Sequence, residues 1–297
     1  MFIVMSMIMA VVGLIVGLYF GNIWLGLIVL LAIAVIFNFY SYFSSKKHAL
    51  KANRARIVTE AEEPRLYGIV KRVAEKAGVP MPEVGVSDVP MPNAFATGRN
   101  PKNAAVVATR GLLDMLPDDQ LEGVIAHEMA HVKNRDILVM SIASTMAAIL
   151  TYLSRYLMWS MILNRDRNPL MIAIGVAVGV TVPIASVLVQ LGVSRNREFL
   201  ADETGAKITG NPMALANALR SIERGVASPK NDYDNSSYAS MWISNPLKKK
   251  KFLSKLFSTH PPMDERIARL TEMASKMNGG RAYEPAEDNG RRSESNY

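Results

Sequence analysis

The sequence predicts a mainly helical membrane protein with an α+β domain: four membrane-crossing helices and a small β-sheet beside a helix that carries His127-Glu128-Met129-Ala130-His131. Three observations lead there. Residues 1–43 contain no Asp, Glu, Lys or Arg. A second pair of apolar runs fills residues 137–193, and short β-type runs punctuated by Pro, Gly and Asn precede the His-Glu-x-x-His stretch.

The N-terminal run divides at Gly21-Asn22 into two stretches of about 20 residues, the length that crosses a hydrocarbon core of about 30 Å. Gly13, Gly17 and Gly21 recur every four residues, a spacing that lets a neighbouring helix approach closely. Lys46, Lys47, Lys51, Arg54 and Arg56 follow directly. Basic residues beside a span mark the cytoplasmic side, so the chain is expected to be a multi-pass plasma-membrane protein with both termini and the His-Glu-x-x-His stretch in the cytoplasm. Arg165 and Arg167 in the outer turn argue the other way, but 14 Lys/Arg lie between residues 44 and 136 and 17 after residue 193, and they outnumber that pair.

Leu66, Ile69, Val70, Val73, Ala74 and Ala77 form the apolar stripe of a helix that stops at Gly78. Val84–Ser87, Ala94–Thr97 and Ala104–Ala108 read as strands. Such a sheet either offers an edge to an extended polypeptide or pairs only with itself. Leu116-Pro117-Asp118-Asp119 then opens a helix, and Leu121, Val124, Ile125, Met129 and Val132 keep its period through the motif.

Histidines four apart share a helix face, so His127 and His131 can bind one metal with Glu128 beside the open position. Zinc held by three protein ligands lowers the pKa of bound water to about 7, and a nearby carboxylate can take the proton. A metzincin would have Gly and His where this chain has Asn134 and Ile137, so that class is excluded. The better third ligand is Glu198, in Ser194-Arg195-Asn196-Arg197-Glu198-Phe199-Leu200-Ala201-Asp202. Its partner four residues on, Asp202, suits an acceptor that orients a ligand histidine. By itself this is an acidic pair beside two arginines, but the intervening stretch changes its weight. Residues 137–163 are apolar except for Arg155, residues 168–194 carry no charge, and Asn164 to Pro169 makes a polar turn. A hairpin of this kind returns Glu198 to the face it left. Gly175, Gly179 and Pro183 fit a closely packed, kinked membrane helix.

The domain plan is a transmembrane hairpin at 1–43, a first cytoplasmic part at 44–136, a second hairpin at 137–193, a second cytoplasmic part at 194–277 and a disordered tail at 278–297. The net charge of +8 suits anionic headgroups. No nucleic-acid signature accompanies it, so the lipid bilayer is the expected partner and nucleic acid is not. The absence of cysteine excludes thiol ligands.

Asn93-Ala94-Phe95-Ala96-Thr97-Gly98, the His127 to Asp136 stretch, Ser194 to Asp202 and Ser258-Thr259-His260-Pro261-Pro262 together resemble the HtpX-type membrane zinc endopeptidases. These are relatives of the prenyl-protein (CAAX) endopeptidases, and the likeness extends over nearly the whole chain. It implies a gluzincin-type metalloprotease domain with one catalytic Zn2+ on His127, His131 and Glu198, and with Glu128 as general base. It implies Asp202 and Asn134 as supports of the ligands, and His260 and Arg266 near the substrate oxyanion. Asn93, Ala94, Phe95, Ala96, Thr97 and Gly98 would form the substrate-binding edge strand. The implied substrates are unfolded or misfolded membrane and soluble proteins, cleaved in quality control at the cytoplasmic face. Two other functions stay open: a narrow processing peptidase for lipid-modified C-termini, and a zinc-binding scaffold without catalysis. Retained Glu128 counts against the scaffold, because a structural zinc site needs no base.

Overall fold

The computed structural model describes residues 2–163, 169–226 and 261–277. It begins with an antiparallel pair, α1 (Phe2–Tyr19) and α2 (Ile23–Ala52). The reversal uses Gly21 at φ +75°, and the Asn22 side chain accepts from Leu25 N–H to start α2. The glycine repeat is the packing seam. A Cβ on Gly26 would lie 2.3 Å from the Gly13 carbonyl oxygen and 2.6 Å from Gly17 Cα, so the two helices meet backbone to backbone. α2 continues past Phe43 into the basic stretch, and Lys46 pairs with Glu83 of the sheet.

The sheet has four strands in the order β1 (Ala55–Ile57), β2 (Glu83–Ser87), β4 (Ala104–Thr109) and β3 (Ala94–Gly98). β2 and β4 are parallel, and the β1–β2 and β3–β4 pairs are antiparallel. Every residue of β4 is buried, which explains its unbroken apolar sequence. β3 is an edge strand, ended by Gly98 at φ +133°, where a Cβ would meet the Asn103 carbonyl at 2.3 Å. β1 is three half-exposed residues with no alternation to betray it.

One core joins the sheet to the helices. Val70 and Val73 of α3 (Pro64–Ala77), Val84 and Val106 of the sheet, and Val124 and Ile125 of α5 (Asp118–Lys133) pack with Leu219 of α8 (Pro212–Val226) and Leu270 of α9 (Met263–Met277). α4 (Arg110–Met115) is capped by the Thr109 hydroxyl. Arg65 secures the start of α5: its guanidinium donates to the Leu113 and Leu116 carbonyls at 2.7 and 2.6 Å and to Asp118 at 2.6 Å.

α6 (Asp136–Leu163) and α7 (Pro169–Thr209) are long and apolar enough to cross a membrane. In the N-terminal pair the apolar stretches among the described residues, Met9–Leu18 and Ile23–Ile36, are shorter, so the structure supports two of the four expected crossings. Gly175 and Gly179 accept Met161 and Met158 of α6, and Gln190 donates to Ser144 across the seam at 2.6 Å. α7 continues past the expected hairpin bound at residue 193. It runs unbroken through residues 193–194 to Thr209, so its apolar part and the part carrying Glu198 and Asp202 are one helix. The tail at 278–297 and the irregular stretch up to His260 lie outside the described residues.

α5 passes between α7 and α8 at two glycines. A Cβ on Gly205 would stand 2.9 Å from His127 N, and one on Gly123 would stand 2.8 Å from Leu215 N. Gly205→Val should therefore push α7 off α5. The expected cost is about 1–3 kcal/mol, read as a lower thermal unfolding midpoint together with loss of bound metal. Gly192→Val, where a Cβ meets nothing within 4 Å, should show neither effect.

Candidate active site

α5 carries His127, Glu128 and His131 on consecutive turns, and α7 brings Glu198 against them. The two Nε2 atoms are 3.2 Å apart, and Glu198 oxygens lie 3.8 Å from that of His127 and 3.6 Å from that of His131. The three donor atoms fall within 4.8 Å of one another. The imidazoles stand edge to face at 84°, as expected of two rings that aim one nitrogen each at a common point.

Each ring is held from behind by a carboxylate. His127 Nδ1 lies 2.9 Å from Asp202, and His131 Nδ1 lies 2.6 Å from Asp136. Occupying Nδ1 leaves Nε2 for the centre. Each carboxylate is in turn held by an arginine. Arg266 forks onto Asp202 with contacts of 2.8 and 2.7 Å. Arg197 donates through Nε to Asp136 at 2.6 Å and more closely through Nη2, which also reaches the Asn134 carbonyl at 2.9 Å.

The donor set supports a metal here. Glu128, Glu198, Asp202 and Asp136 are all buried, and so is Arg266, at 0 % exposure. Buried charges survive only when balanced. Four buried carboxylates and two guanidiniums crowd around the imidazoles, and the convergent atoms of His127, His131 and Glu198 are a donor set that suits a divalent cation. Burial works against ionising Asp202, but the Arg266 guanidinium and the contact with His127 outweigh it and bring its pKa down to about 2. Burial likewise opposes charge on His131, yet its bond to Asp136 and the nearby Glu198 and Glu128 carboxylates lift its pKa to about 9. Arg266 is pushed further up, its burial overcome by Asp202 and Glu198.

Glu128 connects this centre to the sheet. Its Oε2 accepts the Ala96 backbone N–H at 2.9 Å. That N–H is on the free edge of β3, because the Asn93–Thr109 bond sets the ladder so that Phe95 and Thr97 bond to β4. The predicted Asn93–Gly98 segment thus lies alongside the motif helix, with Ala94, Phe95, Ala96, Thr97 and Gly98 in the strand and Asn93 just before it.

Asn134 donates its side chain to Thr204 at 3.4 Å and meets the site only through its carbonyl. Arg266 meets Asp202, His127 and Glu198 behind the ligands, with no exposed surface toward a substrate. His260 lies outside the described residues. The sequence reading missed Asp136 and Arg197. Its signal was weak, because Asp136 is five residues beyond His131, off the helix period. Arg135 at φ +55° breaks the helix and turns Asp136 back onto the ring.

A family model described as peptidase family M48 matches residues 60–274. The chain belongs to that family of metalloendopeptidases. It is 45% identical over 268 residues to a "Protease HtpX homolog" of Thermococcus sibiricus, covering 88% of this chain and 91% of the relative. A second protein of that name, from Pyrococcus furiosus, is 45% identical over 255 residues, covering 85% and 88%. Among solved structures, S. mikatae Ste24p aligns with a TM-score of 0.55 at 19% identity over 88% of this chain. The likeness is one of fold, and the chain spans 62% of that protein's length.

Asp136→Asn should weaken metal binding about 10- to 100-fold, measured by competition with a chelator. Without metal His131 is protonated below a pKa of about 9, so metal entry must expel that proton. Affinity should rise with pH from about 7 and level off near 9, and Asp136→Asn should flatten the dependence because the group that raises the pKa is gone.

Proposed function

We propose that the chain is a membrane-held zinc endopeptidase that cuts unfolded or misfolded stretches of membrane and soluble proteins at the cytoplasmic face. One observation carries this reading: the carboxylate of Glu128 lies against the free edge of β3, beside the metal-ligand triad. An extended polypeptide pairing with that edge would present backbone carbonyls to the base whatever its sequence. Recognition through backbone suits unfolded substrates in general.

Zinc on His127, His131 and Glu198 would supply a Lewis acid that polarises the scissile carbonyl and makes water acidic enough to attack it. Glu128 takes the proton from the attacking water and passes it to the leaving nitrogen. Asp202 and Asp136 keep both imidazoles turned toward the centre; Arg266 keeps Asp202 ionised, and Arg197 holds Asp136 in place through its hydrogen bonds. His260 is assigned the donor to the developing oxyanion, with Arg266 bracing the ligands behind it. The basic residues after α2 support a cytoplasmic site.

The test is cleavage of an unfolded protein by the purified chain, with bound zinc recorded. Glu128→Gln should lower turnover by about 10²- to 10⁴-fold while zinc stays bound. Equal cleavage by both forms would remove Glu128 as the base. Cleavage of a prenylated peptide and not of unfolded protein would favour the narrow processing role. His260→Ala should cost about 10²- to 10³-fold in turnover with zinc retained; an unchanged rate would end its oxyanion role.

A further inference from the structure

Arg155 has no part in the chemistry, yet it is the one charge in the apolar part of α6, and an ionisable group in a membrane helix needs a reason to be there. It is exposed, and so are its neighbours one turn either way: Tyr152 at 37%, Tyr156 at 63% and Trp159 at 55%. Residues 152, 155, 156 and 159 follow the i, i+3, i+4, i+7 spacing of a single helix face. The seam with α7 uses other positions of these turns, where Met158 and Met161 meet Gly179 and Gly175. These three are the aromatic residues of α6, and the apolar part of α7 has none. The aromatic groups of the two apolar stretches therefore surround the one charge those stretches carry, on exposed positions clear of the glycine seam.

Two helix lengths match the thickness of a bilayer. Arg155 follows Asp136, the residue bound to His131, by 19 residues, about 28 Å of helix. In α2, exposed Trp24 and exposed Phe43 are also 19 residues apart, again about 28 Å. The Phe43 end lies on the side of the metal domain, since the Arg99 guanidinium sits 4.5 Å over its ring. A hydrocarbon core is about 30 Å thick. With α6 crossing a bilayer, the Arg155 cluster would stand across it from the metal, and the aromatic ends of α2 have the same separation.

We propose that Tyr152, Arg155, Tyr156 and Trp159 form a site for the phosphate of an anionic phospholipid in the leaflet opposite the metal centre. The guanidinium offers paired donors that match phosphate oxygens, and the aromatic rings sit where lipid is half polar. Charge selects the lipid: the face carries one cation and no acidic group, so a net negative headgroup fits better than a zwitterion. The proposal rests on the hairpin spanning the membrane.

The experiment is mass spectrometry of the intact full chain in detergent, offered phosphatidylglycerol or phosphatidylcholine, with bound metal as the fold control. Wild type should retain phosphatidylglycerol preferentially, and Arg155→Gln should reduce that retention about fivefold, the worth of one basic residue at a lipid surface, with phosphatidylcholine unaffected. Equal retention of the two lipids by wild type, or an unchanged preference in Arg155→Gln, overturns the site. Ser160→Cys, placed in this cysteine-free chain and reconstituted in sealed vesicles, should react with an impermeant maleimide only from the side opposite the metal domain. Labelling from the metal side would overturn the spanning reading and the site with it, whereas correct labelling with a lipid-blind wild type sinks the lipid site alone.

Discussion

The structure depends on how charge is disposed at the crossing of α5 with α7. Four buried carboxylates and two arginines surround a pair of imidazoles, and none of these groups is tolerable there without the others. Asp202 stays ionised because Arg266 faces it, and His127 is oriented because Asp202 is ionised. A parallel succession of contacts joins Arg197, Asp136 and His131. The two relays enter from different elements: α9 supplies the first arginine, and α7 supplies the second. A site built in this way is not the property of one motif. It requires the sheet, both ends of the second hairpin and the C-terminal helix to be in place at once.

Packing serves that requirement through small residues. Glycines occupy the points where α5 meets α7 and α8, where α6 meets α7 and where α1 meets α2. Close approach brings a ligand on one helix within reach of ligands on another, and the lost side-chain contacts are recovered in the apolar core beneath. That core is continuous from α3 through the sheet to α9, so the metal helix is supported on its inner face along its length. Its outer face is left to the ligands and to β3.

Much of this was legible in the sequence, and the reasons are physical. The His127–His131 spacing and the apolar runs are periodic signals, and period is what a sequence displays most directly. Glu198 became legible only through the hairpin argument, which converts a gap in sequence into a return in space. Asp136 and Arg197 were not legible as site residues, because one acts across a helix break at a left-handed Arg135 and the other is a common residue beside a ligand. Arg266 was assigned to the substrate side by resemblance. Its complete burial against Asp202 is a tertiary fact, which no local pattern encodes. The extent of α7 was hidden for another reason: the change from apolar to charged sequence at Ser194 is a change of solvent, and a helix can pass through such a change unbroken.

That unbroken helix joins the apolar stretch of the second hairpin directly to Glu198. Glu198 is 15 residues beyond Pro183, a lever arm of about 22 Å. Helices answer a change in bilayer thickness by tilting, and a tilt of about 5° at the proline would swing Glu198 by about 2 Å. Displacements of about 1 Å can cost a reacting geometry 10²-fold. With α7 crossing a bilayer as proposed, the thickness of that bilayer would bear directly on the position of Glu198.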